Sequence, residues 1–134
     1  MKYLLDTCVI SDFIKGEQGT LIKIKSMSPK DICISTVTIM EIQFGLMLNP
    51  ARAQKIKHVI HDFTATIHII DFNQDDAKEA AIIRSLLKQK GCPIGSYDVL
   101  LAGTALNRKL TLISANLKEF NRVEKLMLEN WRGK

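Results

Sequence analysis

The sequence predicts an α/β protein with a parallel sheet at its centre. Short apolar runs of strand length alternate with longer stretches of helical periodicity, which is typical of right-handed β-α-β crossovers. The chain has 134 residues, of which 46% are hydrophobic, so one domain of this size can bury a core without disulfides or structural metals. Because no repeat, low-complexity segment or linker divides the chain, we predict a single domain over residues 1–134.

The first half of the chain contains two apolar runs separated by helical stretches. Gly16 and Pro29 end the first two helices, because glycine and proline both interrupt a continuing helix. The pattern Thr38-x-x-Glu41 matches a capping box and predicts a helix start, and Pro50 suits the first turn of the next helix. In order, the predicted elements are a strand at Lys2–Leu5, helices at Val9–Lys15 and Thr20–Met27, a strand at Asp31–Ser35, and helices at Ile39–Leu48 and Ala51–Phe63.

The second half contains the longest predicted helix. Its apolar positions recur at helical spacing, Gly91 lies where a C-terminal cap belongs, and Ser96 is placed to cap the following helix. In order, the predicted elements are a strand at Thr66–Ile70, helices at Asn73–Lys90 and Tyr97–Asn107, a strand at Leu110–Ser114, one turn at Leu117–Phe120, and an edge strand at Lys125–Leu128 before a polar tail containing Trp131.

Charge and cysteine content bear on the binding partners and the cellular compartment of the protein. The net charge is +5, and a basic surface around an acidic pocket suits a nucleic-acid backbone, although many basic proteins bind no nucleic acid. Cys8, Cys33 and Cys92 show no CxxC spacing, so we expect free thiols and a reducing cytoplasm. We see no signal peptide and no apolar run of membrane-spanning length, so we expect no membrane association.

Three acidic residues are the candidates for chemistry. Asp6 follows the first strand, Glu41 lies in the first turn of a predicted helix, and Asp98 lies at the start of an almost wholly apolar helix. Strand ends and the following helix starts converge at one edge of a parallel sheet, so these carboxylates can line one pocket. A hard cation such as Mg²⁺ or Mn²⁺ relieves their repulsion, which points to metal-assisted phosphodiester chemistry. Each residue also has a structural interpretation, since Asp6 can cap a helix and Glu41 can complete the capping box.

Other polar residues have more ordinary interpretations. Asn116 either holds a water in the site or caps the turn after the fourth strand. Asp71, Asp75 and Asp76 flank a helix start, so we interpret them as solvated caps. Arg84 is interpreted as a structural or surface residue.

Four blocks of the sequence resemble the PIN-domain ribonucleases, and more narrowly the VapC toxins of bacterial toxin–antitoxin pairs. The resemblance covers Met1 to Trp131, and the blocks occur in the family's order at the usual separations. The matching blocks are Leu4-Leu5-Asp6-Thr7, Glu41-Ile42-Gln43-Phe44-Gly45, Gly91-Cys92-Pro93-Ile94-Gly95-Ser96-Tyr97-Asp98, and the run from Ser114-Ala115-Asn116 to Val123.

The resemblance implies a fold, an activity and partners. The fold is a PIN-like α/β/α sandwich with a parallel sheet of about five strands. The activity is Mg²⁺- or Mn²⁺-dependent cleavage of RNA, commonly transfer RNA, by an endoribonuclease toxin. A cognate VapB-like antitoxin covers the pocket, and the toxin is expected to form a homodimer within that complex. By matched position, Asp6, Glu41 and Asp98 are the catalytic core.

Within that core, the resemblance implies separate roles. Asp6 and Asp98 are the expected direct metal ligands, and Glu41 would hold a water or act as general base. Asn116 replaces an aspartate found in many relatives, so we expect one well-held metal. Thr7, Asn116 and Glu119 are accessory candidates, and Glu119 would compensate for the lost charge.

Rival interpretations remain open at this level. Receiver domains need an acidic pair after the first strand and haloacid-dehalogenase-like phosphatases need Asp-x-Asp, but Thr7 and Cys8 follow Asp6 here. A degenerate PIN domain that binds RNA or protein without cutting is the non-enzymatic alternative, since Asn116 departs from the acidic pattern. Metal titration separates that alternative from the nuclease.

Overall fold

Helices and strands alternate along the chain, as the sequence predicts. A computed structural model describes residues 1–133. The elements are β1 (Tyr3–Leu5), α1 (Thr7–Lys15), α2 (Gln18–Ser26), a 3₁₀ turn (Pro29–Asp31), β2 (Ile32–Ser35), α3 (Thr36–Leu48), α4 (Pro50–Thr66), β3 (His68–Ile70), α5 (Gln74–Gln89), α6 (Ser96–Arg108), β4 (Thr111–Ile113), α7 (Leu117–Phe120) and β5 (Leu128–Glu129).

The strands form one parallel sheet of five strands in the order β3-β2-β1-β4-β5. This confirms the predicted parallel α/β fold and places β1 in the middle. All five strands run in the same direction, so the residues that end them, such as Leu5, Ser35 and Ile113, lie along one edge, here called the carboxyl edge. The chain reverses strand order on either side of β1, and this is where α/β proteins form their ligand sites.

Alternating side chains on each strand supply two separate cores. Leu4 and Leu112 point into a core shared with α5, α6 and α7, whereas their neighbours Leu5 and Ile113 point into a core shared with α1, α3 and α4. Strand side chains alternate between faces with a period of two, so each apolar strand needs helices on both sides. The result is the three-layer α/β/α sandwich that the resemblance implies.

Helices α5 and α6 pack closely, and a buried ion pair joins them. A Cβ at Gly103 would lie 2.7 Å from the backbone nitrogen of Ala80, so only glycine allows this approach. The Asp76 carboxylate is wholly buried and accepts hydrogen bonds from Arg108 at 2.9 and 3.2 Å and from Asn107 at 2.8 Å. The prediction that Asp76 is a solvated cap is therefore wrong, although its capping box with Asn73 does form.

Two predicted helix caps are also wrong. Helix α3 begins at Thr36, with the Ser35 hydroxyl accepting from the backbone N–H of Val37 at 3.0 Å, so the Thr38-x-x-Glu41 pattern lies inside the helix. The Thr38 hydroxyl is buried without a hydrogen-bond partner among the described residues. Ser96 is the first residue of α6 rather than its cap, which is Gly95.

The C-terminal segment is more ordered than a polar tail. Strand β5 is shorter and later than the predicted strand at Lys125–Leu128. Trp131 is buried and packs edge-to-face against Tyr3, with ring centroids 5.3 Å apart. Arg132 then forms two hydrogen bonds of 3.0 Å to Asp12, which fastens the segment to α1.

Cys8, Cys33 and Cys92 are all free thiols. Over residues 1–133, every helix is too short or too polar to cross a bilayer.

Candidate active site

Asp6 lies at the carboxyl edge, between the end of β1 and the start of α1. Its carboxylate accepts hydrogen bonds from the backbone N–H of Thr7 at 2.6 Å and from the Ser114 hydroxyl at 2.8 Å. Asp6 is the N-cap of α1, so the structural interpretation holds, and the same side chain also belongs to the acidic group described below. The residue is only 7% exposed, so its carboxylate is largely shielded from solvent.

Glu41 reaches the same place from α3. It lies one turn further into that helix than its sequence pattern predicts, and its carboxylate accepts a hydrogen bond of 2.8 Å from the Thr7 hydroxyl. Thr7 follows Asp6 directly, so this bond ties Glu41 to the end of β1. The capping interpretation of Glu41 is wrong, and Thr7 orients the side chain instead.

Asp98 comes from the first turn of α6, and its carboxyl group has an unusual proton affinity. Burial raises its pKa to about 7, with contributions from a hydrogen bond to Glu119 and from the negative charges of Asp6, Glu119 and Glu41. When protonated, Asp98 therefore donates to the Glu119 carboxylate. A Cβ at Gly95 would lie 3.0 Å from Asp98 Oδ2, so the glycine before α6 gives this carboxyl group its room.

Glu119 belongs to this group of acids and is supported by Asn116. The Asn116 amide donates a 2.7 Å hydrogen bond to Glu119 Oε2. That bond and the one from Asp98 lower the pKa of Glu119, which keeps its charge. Asn116 occupies the N-cap position of α7 but makes no side-chain cap bond, so the capping interpretation of Asn116 is wrong.

Four carboxylates from separate parts of the sequence thus come together at the carboxyl edge. They are Asp6, Glu41, Asp98 and Glu119, and none of them forms an ion pair with Lys or Arg among the described residues. Carboxylate oxygens carrying uncompensated negative charge are the donors that Mg²⁺ and Mn²⁺ prefer.

The side chains of the four acids are not arranged as a metal-binding site in this structure. Within residues 1–133, no group of three or more His, Cys, Asp or Glu side chains is arranged to hold a metal ion. The raised pKa of Asp98 nevertheless shows that the negative charges act on one another. A bound cation would offset this mutual repulsion, and the carboxylate side chains can reorient to reach it.

Ser114 and Cys8 are site residues that the sequence reasoning missed. Ser114 is fully buried, donates to Asp6 and accepts from the backbone N–H of Asn116 at 3.0 Å. The Cys8 thiol lies 3.5 Å from Asp6 Oδ2, and burial together with the Asp6 charge raises its pKa, so it stays a protonated donor. The available signal for Ser114 was its position directly after an apolar strand, the same position that Asp6 has after β1.

The architecture and the acidic group define a class of protein. The PIN domain family matches residues 3–126 of the chain, which is most of its length. The chain therefore belongs to the PIN-domain family.

Full-length relatives place it more narrowly, in the VapC branch. The chain is 30% identical over 131 residues to the tRNA(fMet)-specific endonuclease VapC of Salmonella typhimurium, covering 98% of both proteins. It is 32% identical over 133 residues to ribonuclease VapC2 of Rickettsia felis, again covering 98% of each. The crystal structure of VapBC2 from Rickettsia felis bound to a promoter DNA fragment contains a similar chain, with a TM-score of 0.89, 30% identity, and coverage of 98% of this chain and 99% of that one.

Proposed function

We propose that this protein is a metal-dependent endoribonuclease toxin that hydrolyses RNA phosphodiester bonds in the cytoplasm. The observation that carries the proposal is the convergence of Asp6, Glu41, Asp98 and Glu119 at the carboxyl edge. Similarity to VapC ribonucleases supports the reaction class. Transfer RNA is the proposed substrate, because the Salmonella typhimurium relative is named for tRNA(fMet).

Asp6 and Asp98 are the proposed holders of a Mg²⁺ or Mn²⁺ ion. Asp6 is fixed by Thr7 and Ser114, and Asp98 is the acid whose ionisation the other three oppose. When bound, such an ion offsets phosphate charge and lowers the pKa of water. Glu119, held by Asn116, supplies the fourth carboxylate in place of the aspartate that Asn116 replaces.

Glu41 is the proposed general base. The Thr7 hydroxyl fixes one of its oxygens, which leaves the other free to take a proton from an attacking water. The water oxygen forms a bond to phosphorus, the bond from phosphorus to O3′ breaks, and a proton passes to O3′. The products are a 5′-phosphate and a 3′-hydroxyl, and the 2′-hydroxyl takes no part.

The chemistry of the cut ends tests this mechanism. Fragments should carry a 5′-phosphate, which a 5′-phosphate-dependent exonuclease digests, and substrates with a 2′-deoxy sugar at the cut should still be cleaved. A 2′,3′-cyclic phosphate on the fragments would rule out hydrolysis by water.

An antitoxin is the proposed partner, and a groove beside Glu41 is its proposed docking site. The groove encloses about 170 Å³ between α1, α3 and α4, with Thr7 and Glu41 at one end. Ile10, Ile42 and Leu46 give it apolar walls. An apolar peptide segment with one basic side chain suits the Glu41 end of this groove, because the basic group would meet that carboxylate. Arg52 also lines the groove, so we expect the rest of the segment to carry no further positive charge. Similar chains are found in toxin–antitoxin complexes such as VapBC2 of Rickettsia felis.

The outer face of α3 adds an apolar surface for protein contacts. Phe44, Met47 and Leu48 are 59%, 75% and 70% exposed, which is unusual for large apolar side chains in a single protein chain. We propose that a VapB-like antitoxin, or a second copy in a homodimer within the same complex, covers this face.

Filling the groove tests the docking site. Gly45 lines it and has no neighbouring atom within 4 Å of an added Cβ, so Gly45→Phe should occupy the groove and weaken association with a co-expressed VapB-like antitoxin. Lys23→Phe, at an exposed position of α2 that lines neither the groove nor the outer face of α3, is the matched control. Equal co-purification of both variants would place the antitoxin elsewhere.

The non-catalytic alternative rests on Asn116 and makes a different prediction for metal binding. A binding-only domain would not need Mn²⁺ at the carboxyl edge. Titration calorimetry with Mn²⁺, compared with the Asp98→Asn variant, should show one site that the substitution weakens if the nuclease proposal is correct. Absence of binding to the folded protein would favour the alternative.

A further inference from the structure

A second groove lies next to the acidic group, between α5 and the start of α6. It encloses about 760 Å³, which is within the range of about 300–1,000 Å³ typical of ligand sites. Val99 and Leu100 of α6 form part of its floor together with Leu87 of α5, and Phe72 and Pro93 add apolar surface at its borders. We call this the α5–α6 groove.

The charges in this groove are all positive. Arg84 and Lys88 are one turn apart on α5, and the other lining residues are apolar, alanine or serine. Both cations are exposed, and within residues 1–133 neither makes a side-chain hydrogen bond or an ion pair. By contrast, the neighbouring Lys90 bonds Glu124 at 2.8 Å and Arg108 bonds Asp76. Arg84 and Lys88 thus remain available for an external anion.

The groove also adjoins the catalytic helix turn. Ser96, Val99 and Leu100 line it, and Asp98 lies in the same first turn of α6. Asp98 does not line the groove itself, but it lies within two residues of Ser96, Val99 and Leu100, so the groove and the acidic group are neighbours on α6. Among the groove residues, Ser85 and Ser96 offer hydroxyl groups that can donate to phosphate oxygens.

We infer that the α5–α6 groove binds the single-stranded RNA segment that flanks the scissile phosphate. Arg84 and Lys88 contact its phosphates, and the apolar floor receives a base. This inference rests on the proposed nuclease function and adds to it a substrate-binding site outside the acidic group. Single-strand sites generally combine such a cationic track with apolar or aromatic surfaces for bases.

A second copy of this chain fits the groove less well than RNA. A two-fold dimer buries the same patch on both copies, so it would bring two cations from each copy into one interface with no acid from the groove to offset them. A polyanion faces no such repulsion.

Removing the two charges tests the inference. The Arg84→Gln/Lys88→Gln variant is compared with Lys23→Gln/Lys25→Gln, which removes two exposed positive charges from α2. Both pairs are placed in an Asp6→Asn background so that RNA stays intact. The measurement is the anisotropy of a fluorescein-labelled single-stranded RNA of mixed sequence over a series of salt concentrations, with Mg²⁺ present.

The expected result is specific to phosphate contacts. Loss of two contacts should weaken binding roughly tenfold at low salt and reduce the slope of log affinity against log salt by about 1.4, since each contact to a single strand contributes about 0.7. The α2 control should keep the wild-type slope. Ser85→Leu, which narrows the groove without adding an aromatic ring and keeps both charges, should weaken binding with the slope unchanged.

Four results would overturn the inference. Binding by the groove variants equal to that of the α2 control would show that RNA lies elsewhere. Conversion of a wild-type dimer to monomers by either groove variant, seen by light scattering with RNA affinity unchanged, would assign the groove to a second copy. If the wild-type protein cleaves no RNA and binds none, the proposed function fails and this inference fails with it. If the wild type cleaves RNA and the groove variants change neither cleavage nor binding, this inference fails while the proposed function stands.

Discussion

Asp98 is the single residue whose chemistry depends most on its neighbours. Its burial and the charges of Asp6, Glu41 and Glu119 hold a proton on it up to about pH 7. A bound cation reverses that preference, because it stabilises the ionised form. The protonation state of Asp98 therefore indicates whether a cation is bound to the acidic group.

This proton predicts how stability changes with pH. An unfolded aspartate loses its proton near pH 4, roughly, whereas folded Asp98 keeps it to about 7, so the folded state binds the extra proton between these values. Stability of the EDTA-treated protein should therefore fall as pH rises through this window. Thermal unfolding should show a steeper fall for the wild type than for Asp98→Asn, and Mg²⁺ should reduce the difference. Identical pH dependence of the two proteins would contradict the raised pKa.

The buried Ser114 hydroxyl is predicted to contribute to both stability and RNA cleavage. Ser114→Ala removes a buried hydrogen bond to the Asp6 carboxylate, which should cost about 1–3 kcal/mol in urea unfolding. Misplacement of Asp6 should also lower RNA cleavage roughly 10- to 100-fold. Thr104→Val is the control, because the Thr104 hydroxyl is equally buried but bonds only within α6. A wild-type rate for Ser114→Ala would show that Asp6 needs no support.

Between helices, the Asp76–Arg108 pair is the contact with the largest predicted effect. Asp76 is fully buried, and although burial opposes its ionisation, the bonds from Arg108, Asn73 and Asn107 lower its pKa overall. This pair joins α5 to α6, which carries Asp98 at its other end.

Breaking that pair should destabilise the fold strongly. Arg108→Met leaves the Asp76 carboxylate buried without its cation, which should cost about 3–5 kcal/mol. Lys90→Met removes the exposed pair with Glu124 and should lower stability far less, because solvent screens an exposed pair. Urea denaturation of both variants measures the contrast. Equal midpoints would mean that the buried pair adds no more stability than an exposed one.

Sequence patterns predicted the helices and strands well where the deciding residues are neighbours. The helical spacing before Gly91 predicted α5 to within one residue at each end. The start of α3 was harder, because Ser35 and Thr38 both offer a cap and only the pairing of Ser35 at the end of β2 decides between them. Asp76 has the local pattern of an exposed cap, and its burial comes from Arg108, which lies 32 residues later in the chain.

The acidic site could be predicted in part for the same reason. Asp6 and Asp98 follow from the rule that strand ends and helix starts meet at the carboxyl edge. Nothing local links Thr7 to Glu41, or Glu119 to Asp98, since these contacts join different helices. The contacts by which hydroxyl and amide groups orient the acids could therefore be identified only from the three-dimensional structure.

Over the whole protein, negative charge is concentrated at the carboxyl edge and net positive charge on the rest of the surface. The chain carries a net charge of +5 although four carboxylates share one edge of the sheet. The remaining surface is correspondingly more basic, and the α5–α6 groove is one such region. A cationic surface around an acidic pocket would attract a nucleic acid and concentrate its phosphates near the acids.

Cleavage of purified total transfer RNA is the most direct test of the nuclease proposal. The protein is incubated with Mg²⁺ or Mn²⁺, with EDTA, and in parallel as the Asp98→Asn variant, whose folding is checked by circular dichroism. Discrete fragments are expected from the wild type with metal, and none with EDTA or from the variant. Metal-independent fragments, or equal cleavage by the variant, would contradict a metal-dependent site built on Asp98.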